Sequence, residues 1–210
     1  MNVFDRVPSA NNAATDCKTL APVWEKVAAD FASESGVLIA KVDAEAENSK
    51  ATAQAQGVTG YPTIKFFPSG STEPEAYSGG RTEDALVDFV NSKAGTFRVA
   101  GGGLNTKAGT VDALDAILAT YVTANGLKDV EKATAEIKKV AANLKDKSAE
   151  YYLRALSKLT GNPEYAMKEQ TRLAGLLKKG GLAPEKIDDL QKRSNILAKF
   201  LVKDEAKSEL

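Results

Sequence analysis

Apolar residues in the first half of the chain recur with the periods of a mixed α/β domain. They return every three or four positions from Cys17 to Phe31, which predicts a helix over about 17–33 that continues through Pro22. The apolar run 37–42 has the length and composition of a buried strand. The alanine-rich stretch 46–56 predicts a second helix, which ends at Gly57.

Three more elements are predicted in this half. Residues 63–67 form a β-rich run directly after Pro62, and residues 75–78 have the pattern of an edge strand. Thr82, followed by acidic residues and an apolar stripe, predicts a helix over 82–90. The order β, α, β, β, α after an opening helix indicates an α/β unit that ends near residue 94.

The second half has a different pattern. Residues 95–109 are rich in glycine and are predicted to be a linker. From Thr110 onward the apolar positions follow only the helical period, in five stretches separated by glycine or proline, with Pro184 opening the last. We therefore expect an α/β plus all-α chain, with a five-helix bundle in its second half.

Charge and hydropathy exclude two classes of partner. The 28 basic residues balance 28 acidic ones, so no overall positive field indicates nucleic-acid binding. No apolar run reaches the roughly 18 residues that cross a bilayer, so we expect no membrane insertion. The first residues lack the basic and apolar regions of a secretory signal, so no signal peptide is predicted in this chain.

Cysteine and histidine counts limit the chemistry. One cysteine excludes an internal disulfide, and the absence of histidine excludes His-based catalysis and His metal ligands. We expect no metal and no cofactor. The triple glycine 101–103 follows no phosphate-loop pattern and is interpreted as linker.

Cys17 has two interpretations. If Thr15 or Asp16 caps the first helix, the unpaired amides of the first turn favour a thiolate, and Cys17 is a reactive monothiol. Alternatively, Cys17 is a small buried residue on the apolar stripe. The carboxylate of Asp16 opposes thiolate formation, so we favour the buried interpretation.

The motifs together resemble a known family. The segments 17–25, 41–44, 57–67 and 77–81, which read CKTLAPVWE, KVDA, GVTGYPTIKFF and YSGGR, are similar to a protein disulfide isomerase thioredoxin domain. The match covers residues 17–94. Residues 110–203 resemble the C-terminal helical domain of Windbeutel-like endoplasmic-reticulum proteins, which fungal and plant isomerases append.

The resemblance implies a role for several residues. The family's active site is Cys-Gly-His-Cys, and here Cys17 matches its second, resolving cysteine, whereas Ala14 stands at the nucleophilic cysteine. Asp16 stands at the histidine and Thr15 at the glycine, so dithiol catalysis is expected to be lost. Tyr61 and Pro62 match the cis-proline loop that binds substrate. Two further positions also match, and they are Arg81, which tunes the cysteine pKa in the family, and Lys41, which pairs with a buried glutamate.

The resemblance also implies that N-terminal strands are missing. Family members have a strand, a helix and a long apolar strand before the active site, whereas residues 1–16 are weakly patterned here. The thioredoxin-like domain is therefore expected to be truncated. Either residues 2–7 fill part of the gap in the sheet, or the N-terminal half is distorted.

Each remaining candidate has a structural alternative. Pro62 is either a substrate contact or a plain turn before a strand, and a cis bond is expected in both cases. Arg81 is either a pKa modulator or a solvated charge. Tyr151, Tyr152 and Tyr165 either line a client surface or belong to the core.

The expected function is that of a protein disulfide isomerase-related protein without dithiol catalysis. The alternative is a redox-inactive chaperone that binds clients through the cis-proline loop and the helical domain; a nonfunctional gene-model product is the third hypothesis. Expected partners are unfolded or disulfide-containing proteins, glutathione and a second copy in a homodimer. The end Lys207, Ser208, Glu209 and Leu210 resembles a KDEL retrieval signal, so the endoplasmic reticulum lumen is predicted. The predicted division is 1–16, 17–94, 95–109, 110–203 and 204–210.

Overall fold

The protein is described from a computed structural model, which covers residues 2–5, 12–123, 126–144 and 147–201, with side chains described from Asp16 onward. The chain divides into two compact units, Met1–Asn105 and Thr106–Leu210. The first is α/β and the second is almost entirely helical, which confirms the predicted fold class.

A four-stranded sheet forms the first unit's scaffold. Its strands are β1 (Asn2–Asp5), β2 (Ala40–Asp43), β3 (Thr63–Phe66) and β4 (Glu75–Tyr77), in the spatial order β2-β1-β3-β4. Strand β1 runs parallel to β2 and antiparallel to β3, so it lies in the gap that the resemblance leaves between them. The first of the two alternatives for residues 2–7 therefore describes the sheet.

Three helices accompany this sheet, α1 (Asn12–Asp30), α2 (Lys50–Ala55) and α3 (Glu83–Ala94). Helix α3 begins as predicted, because the Thr82 hydroxyl accepts a hydrogen bond from the amide of Ala85 at 3.3 Å. It ends at Gly95, whose φ of 67° is a left-handed conformation that glycine adopts without strain. Helix α1 continues through Pro22, as expected.

The core of the first unit lies between α1, α3 and the sheet. Helices α1 and α3 supply most of its side chains because their apolar residues repeat at helical spacing. Its buried members are Leu20, Trp24, Val27, Phe31, Ile64, Leu86, Val87 and Val90. A second, small cluster contains Ala44 and Ala53, with Val42, Val58 and Tyr61 packed against it.

The glycine-rich segment after α3 is held by Arg98, which is only 4% exposed. The Arg98 guanidinium donates to Glu34 at 2.7 Å and to the Gly102 carbonyl at 2.9 Å. The Asn91 side chain also bonds both backbone groups of Arg98. Residues 98–104 therefore form an ordered turn within the first unit, which is more structure than a linker implies.

The second unit contains the five predicted helices, here α4 (Asp112–Tyr121), α5 (Val130–Ala141), α6 (Lys147–Leu159), α7 (Tyr165–Lys179) and α8 (Pro184–Ala198). One detail of the prediction was wrong, because Val122–Thr123 (β5) and Gly126–Leu127 (β6) form a short antiparallel hairpin. The bundle core includes Leu114, Leu118, Ile137, Leu156 and Leu197, each fully buried.

Within the described ranges, none of the helices combines the length and apolar character that a membrane span requires.

Candidate functional site

Helix α1 carries Cys17 on its buried face. The sulfur-bearing residue is 2% exposed, on the same stripe as Leu20 and Trp24, which are each 4% exposed. Cys17 forms no disulfide. A thiol acts as a nucleophile only where a reactant reaches it, so the burial of Cys17 matches the interpretation of a small apolar core residue.

The expected cap at Thr15 or Asp16 was wrong, because α1 begins at Asn12. Residues 12–16 include two alanines and no glycine or proline, so they extend the helix toward the N-terminus. Cys17 consequently lies beyond the first turn. The unpaired amides of a helix are confined to that turn, so the predicted activation of the sulfur by the helix end is lost.

Arg81 faces the residue beside the cysteine. Its guanidinium lies 3.8 Å from the carboxylate of Asp16, and both side chains are about half exposed. An ion pair this exposed contributes about 0–1 kcal/mol. This contact places Arg81 next to Asp16, which stands where the family has histidine. The assignment of Arg81 as a pKa modulator stays a prediction.

The peptide bond between Tyr61 and Pro62 is cis, as predicted. Pro62 is buried directly before β3, and Tyr61 is half-buried against the alanine cluster. The Thr63 hydroxyl donates to the Gly60 carbonyl at 2.6 Å and closes the turn. The loop therefore has a defined conformation that presents Gly60 at the surface.

Lys41 has a different partner from the one the resemblance implies. Its ammonium group lies 3.4 Å from the carboxylate of Glu25 on α1, and both side chains are exposed. In the family the matching lysine pairs with a buried glutamate on the strand before the active site, a strand that the resemblance implies is missing here. The pair here is a surface contact between β2 and α1, so it adds little to the electrostatics of a buried site.

Asp30, at the end of α1, is a buried acid that sequence reasoning missed. It is 5% exposed, and its Oδ2 has no hydrogen-bond partner. Its neighbour Glu83 is also a carboxylate, so it offers no donor to an ionised Asp30. Burial raises the pKa of Asp30, and the negative charge of Glu83 raises it further. The signal available in the sequence was its helical spacing, three residues after the buried Val27.

The candidate tyrosines of the second unit lie in the core. Tyr152 is fully buried, donates to the Asp115 carboxylate at 2.5 Å and accepts from the Val111 amide at 3.1 Å. Tyr151 is 8% exposed, and burial together with Tyr165 and Glu169 raises its pKa. The core alternative describes both residues, although one face of Tyr151 also borders an open groove between α6 and α8.

The predicted retrieval signal, Lys207–Leu210, lies outside the described residues. Three basic residues toward the C-terminal end of the last helix, Lys192, Arg193 and Lys199, have separate environments. Lys192 is exposed, Arg193 pairs with Asp189 at 2.9 Å, and Lys199 pairs with Asp115 at 2.9 Å.

Comparisons with known proteins match the two units separately. Residues 12–92 match the thioredoxin family, and residues 109–200 match the family described as endoplasmic reticulum protein ERp29, C-terminal domain. The chain is 56% identical over 195 residues to protein disulfide-isomerase tigA of Aspergillus niger, covering 92% of this chain and 52% of the relative.

Two further relatives have the same pattern. Protein disulfide-isomerase erp38 of Neurospora crassa is 54% identical over 197 residues, with 92% of this chain and 53% of the relative covered. Probable protein disulfide-isomerase A6 of Medicago sativa is 41% identical over 190 residues, with 88% and 50% covered. The chain thus spans about half the length of the curated relatives it matches. It combines a thioredoxin domain with an ERp29-type C-terminal domain, and the relatives that it resembles over both are named protein disulfide-isomerases.

Proposed function

We propose that this chain is a redox-silent member of the protein disulfide isomerase family that binds polypeptide clients. The observation that carries the proposal is the burial of Cys17, the chain's one cysteine, which is 2% exposed. Disulfide exchange requires an accessible thiolate to attack and normally a second thiol to release the mixed disulfide. Here the second thiol is absent from the sequence and the first is covered by protein.

The client contacts that we propose begin with the cis-proline loop. Tyr61 is half-buried and Gly60 is exposed beside it, so a client backbone has access to the loop. In the second unit, we assign Tyr151 to the client surface through the face that borders the α6/α8 groove. Tyr152 contributes only indirectly, by fixing Asp115 and the start of α4.

The names of the relatives support the rest of the proposal. Proteins called disulfide isomerases act on proteins, so unfolded or disulfide-containing polypeptides are the proposed clients. The ERp29-type domain supports the endoplasmic reticulum lumen as the compartment, with Lys207–Leu210 as the proposed retrieval signal. We further propose that Arg81 modulates the cysteine pKa, that Cys17 pairs with glutathione and that the chain forms a homodimer. The glutathione adduct requires α1 to expose the sulfur.

Two assays on the full chain test this function. With a fluorogenic disulfide substrate and a thiol reductant, the chain and its Cys17→Ser variant should both show the uncatalysed rate. In a thermal aggregation assay with an unrelated client enzyme, both should suppress light scattering equally. Disulfide reduction that Cys17→Ser abolishes would contradict redox silence, and failure to suppress aggregation would contradict client binding. Circular dichroism verifies that the variant is folded.

A further inference from the structure

A groove of about 680 Å³ lies between helices α6 and α8 of the second unit. Its wall residues include Lys147, Glu150, Tyr151, Arg154, Lys192 and Arg193. On α6 the members recur at three- and four-residue spacing, and so do those on α8, so each helix presents one face to the groove. The volume falls in the range of about 300–1,000 Å³ that is usual for ligand sites.

The floor of the groove is apolar and well packed. Tyr151 is 8% exposed and Ile196 is 2% exposed, and both belong to the core of the bundle. Arg193 lies over the Tyr151 ring, with its guanidinium carbon 5.4 Å from the ring centre. The floor is thus set by the fold of the bundle, so its shape is present before any ligand binds.

The walls carry more positive than negative charge. Four cationic side chains face two acidic ones, Glu150 and Asp189. Asp189 is neutralised, since it accepts from Arg193 at 2.9 Å and from Lys186 at 3.0 Å. In the described part of the chain, Lys147, Arg154 and Lys192 have no acidic partner within ion-pair distance. A local excess of cations therefore stands on a chain whose formal net charge is zero.

Building on the proposed client binding, we propose that the α6/α8 groove binds short acidic segments of extended polypeptide. Carboxylates of the segment pair with Arg154, Lys192 and Lys147, and an apolar or aromatic side chain between them packs where Arg193 lies over the Tyr151 ring. Lys147 and Arg154 are seven residues apart on α6, which is about 10 Å of helix. An extended peptide covers that length with about three residues.

A peptide fits this surface better than a simple anion does. A single phosphate fills only a small part of the volume and leaves the apolar floor uncovered, whereas a peptide with alternating acidic and apolar side chains covers both. An acidic peptide also leaves the ion pair between Arg193 and Asp189 in place, because its carboxylates pair with the other three cations of the groove.

Fluorescence anisotropy with the full chain tests the proposal. The probe is a fluorescein-labelled peptide of sequence Asp-Glu-Tyr-Glu-Asp, and the comparison probe is Lys-Lys-Tyr-Lys-Lys. The acidic probe should bind and the basic probe should not. Binding should weaken as salt rises, because the Debye length falls from about 10 Å at 0.1 M to about 3 Å at 1 M.

Charge reversal in the groove separates this site from general electrostatics. The double variant Arg154→Glu with Lys192→Glu should weaken binding of the acidic probe by at least about fivefold, since each exposed ion pair contributes several tenths of a kcal/mol and reversal turns attraction into repulsion. The matched control, Lys178→Glu with Lys179→Glu, makes the same charge change on exposed residues of α7 and should leave the affinity unchanged. The milder Arg154→Gln with Lys192→Gln should weaken binding less than the reversal does.

Four results would overturn the proposal. They are no binding of the acidic probe at millimolar concentration, equal binding of the basic probe, equal losses in the groove and control variants, and displacement of the probe by inorganic phosphate or by single-stranded DNA at the same concentration. The outcome is separate from that of the client-binding proposal. If the full chain suppresses aggregation and these variants suppress it as well with unchanged probe affinity, only the groove assignment fails.

Discussion

The two units of this chain bury their side chains in different ways. Among the described residues, the larger cluster of the first unit contains eight buried residues, whereas the bundle contains one continuous cluster of seventeen. The first unit also buries the charged groups of Asp30 and Arg98, whereas in the second the buried polar residue is Asn195, which donates to the Ala108 carbonyl at 3.0 Å. Because buried charge opposes folding, the helical unit should be the more stable one.

This difference also bears on the proposed redox silence of the first unit. The thioredoxin-type unit keeps the cis-proline turn, the α1 stripe and the capped α3, yet its cysteine is now a packing residue. The bundle keeps a full core and a charged groove. The proposed client binding therefore has an accessible surface in this chain, whereas thiol chemistry at Cys17 does not.

The largest expected effect comes from the same truncation in each core. Leu86→Ala in the first unit and Leu118→Ala in the second each remove a fully buried side chain and should cost about 2–5 kcal/mol. Trp24, the sole tryptophan, reports the first unit by fluorescence, and far-UV circular dichroism reports mainly the helices. In urea, the fluorescence transition of the unsubstituted chain should come first, and Leu86→Ala should lower its midpoint further.

Leu38→Ala is the control for this pair, since Leu38 is 71% exposed and its truncation should change the free energy of unfolding by less than about 0.5 kcal/mol. A fluorescence transition at higher urea than the helical one would contradict the comparison of the two cores.

A buried hydrogen bond should matter next. Tyr152→Phe removes the hydroxyl that donates to Asp115 and accepts from the Val111 amide, in a fully buried position. Loss of this partner for the Val111 amide and for Asp115, which keeps its ion pair with Lys199, should lower the free energy of unfolding by about 1–3 kcal/mol, measured by urea titration of the circular dichroism signal. Ser157→Ala, on the exposed side of the same helix, is the control. Equal stability of Tyr152→Phe and the parent would show that the network contributes nothing.

The buried acid of the first unit should appear as a pH dependence. The pKa of Asp30 is raised in the folded state, chiefly by burial and then by Glu83, while Lys26 and the Gly101 amide oppose the rise. Folding is therefore favoured while Asp30 keeps its proton in both states, and this contribution is lost as the pH rises from the ordinary carboxyl pKa of 3.8 through the raised pKa of the folded state.

Asp30→Asn cannot titrate, so its Trp24-detected stability should fall less over that pH window than the parent's does. The control Asp88→Asn alters an exposed carboxylate on α3 and should show the same dependence of stability on pH as the parent. Identical pH profiles for the parent and Asp30→Asn would mean that Asp30 titrates as an exposed acid.

The smallest effect should follow from Arg81→Ala. The ion pair with Asp16 is 3.8 Å long and about half exposed on both sides, so its loss should change the free energy of unfolding by about 0–1 kcal/mol. Urea titration of Trp24 fluorescence measures the change. A loss above about 2 kcal/mol would show that Arg81 supports the buried face of α1 and would revise its description as a surface charge.

Sequence reasoning succeeded where local signals and burial agree. The five bundle helices were expected because apolar periodicity, glycines such as Gly180 and the proline at the start of α8 all indicate the same boundaries. Thr82 and the cis bond before Pro62 were found for the same reason, since each lies in a motif of defined local geometry.

Sequence reasoning was incomplete where an element carries no apolar pattern or where a tertiary contact decides. Helix α1 begins at Asn12 because Ala13 and Ala14 are good helix formers, although no apolar stripe marks that turn. Strand β1 has little pattern of its own, and its place is set by pairing with β2 and β3. Arg98 is buried although it lies between two half-exposed apolar residues, Phe97 and Val99. A pattern of alternating apolar and polar residues would instead predict that Phe97 and Val99 are buried and Arg98 is exposed.

The thiol reactivity of Cys17 tests the central claim most directly. The native chain is mixed with an excess of an aromatic disulfide reagent whose release is followed by absorbance, and the measurement is repeated in denaturant. We predict one reactive thiol per chain after unfolding and a native rate at least about 100-fold slower, because reagent must wait for α1 to open. A native rate within a few fold of the unfolded one would show that Cys17 is accessible and would contradict the account of a redox-silent thioredoxin unit.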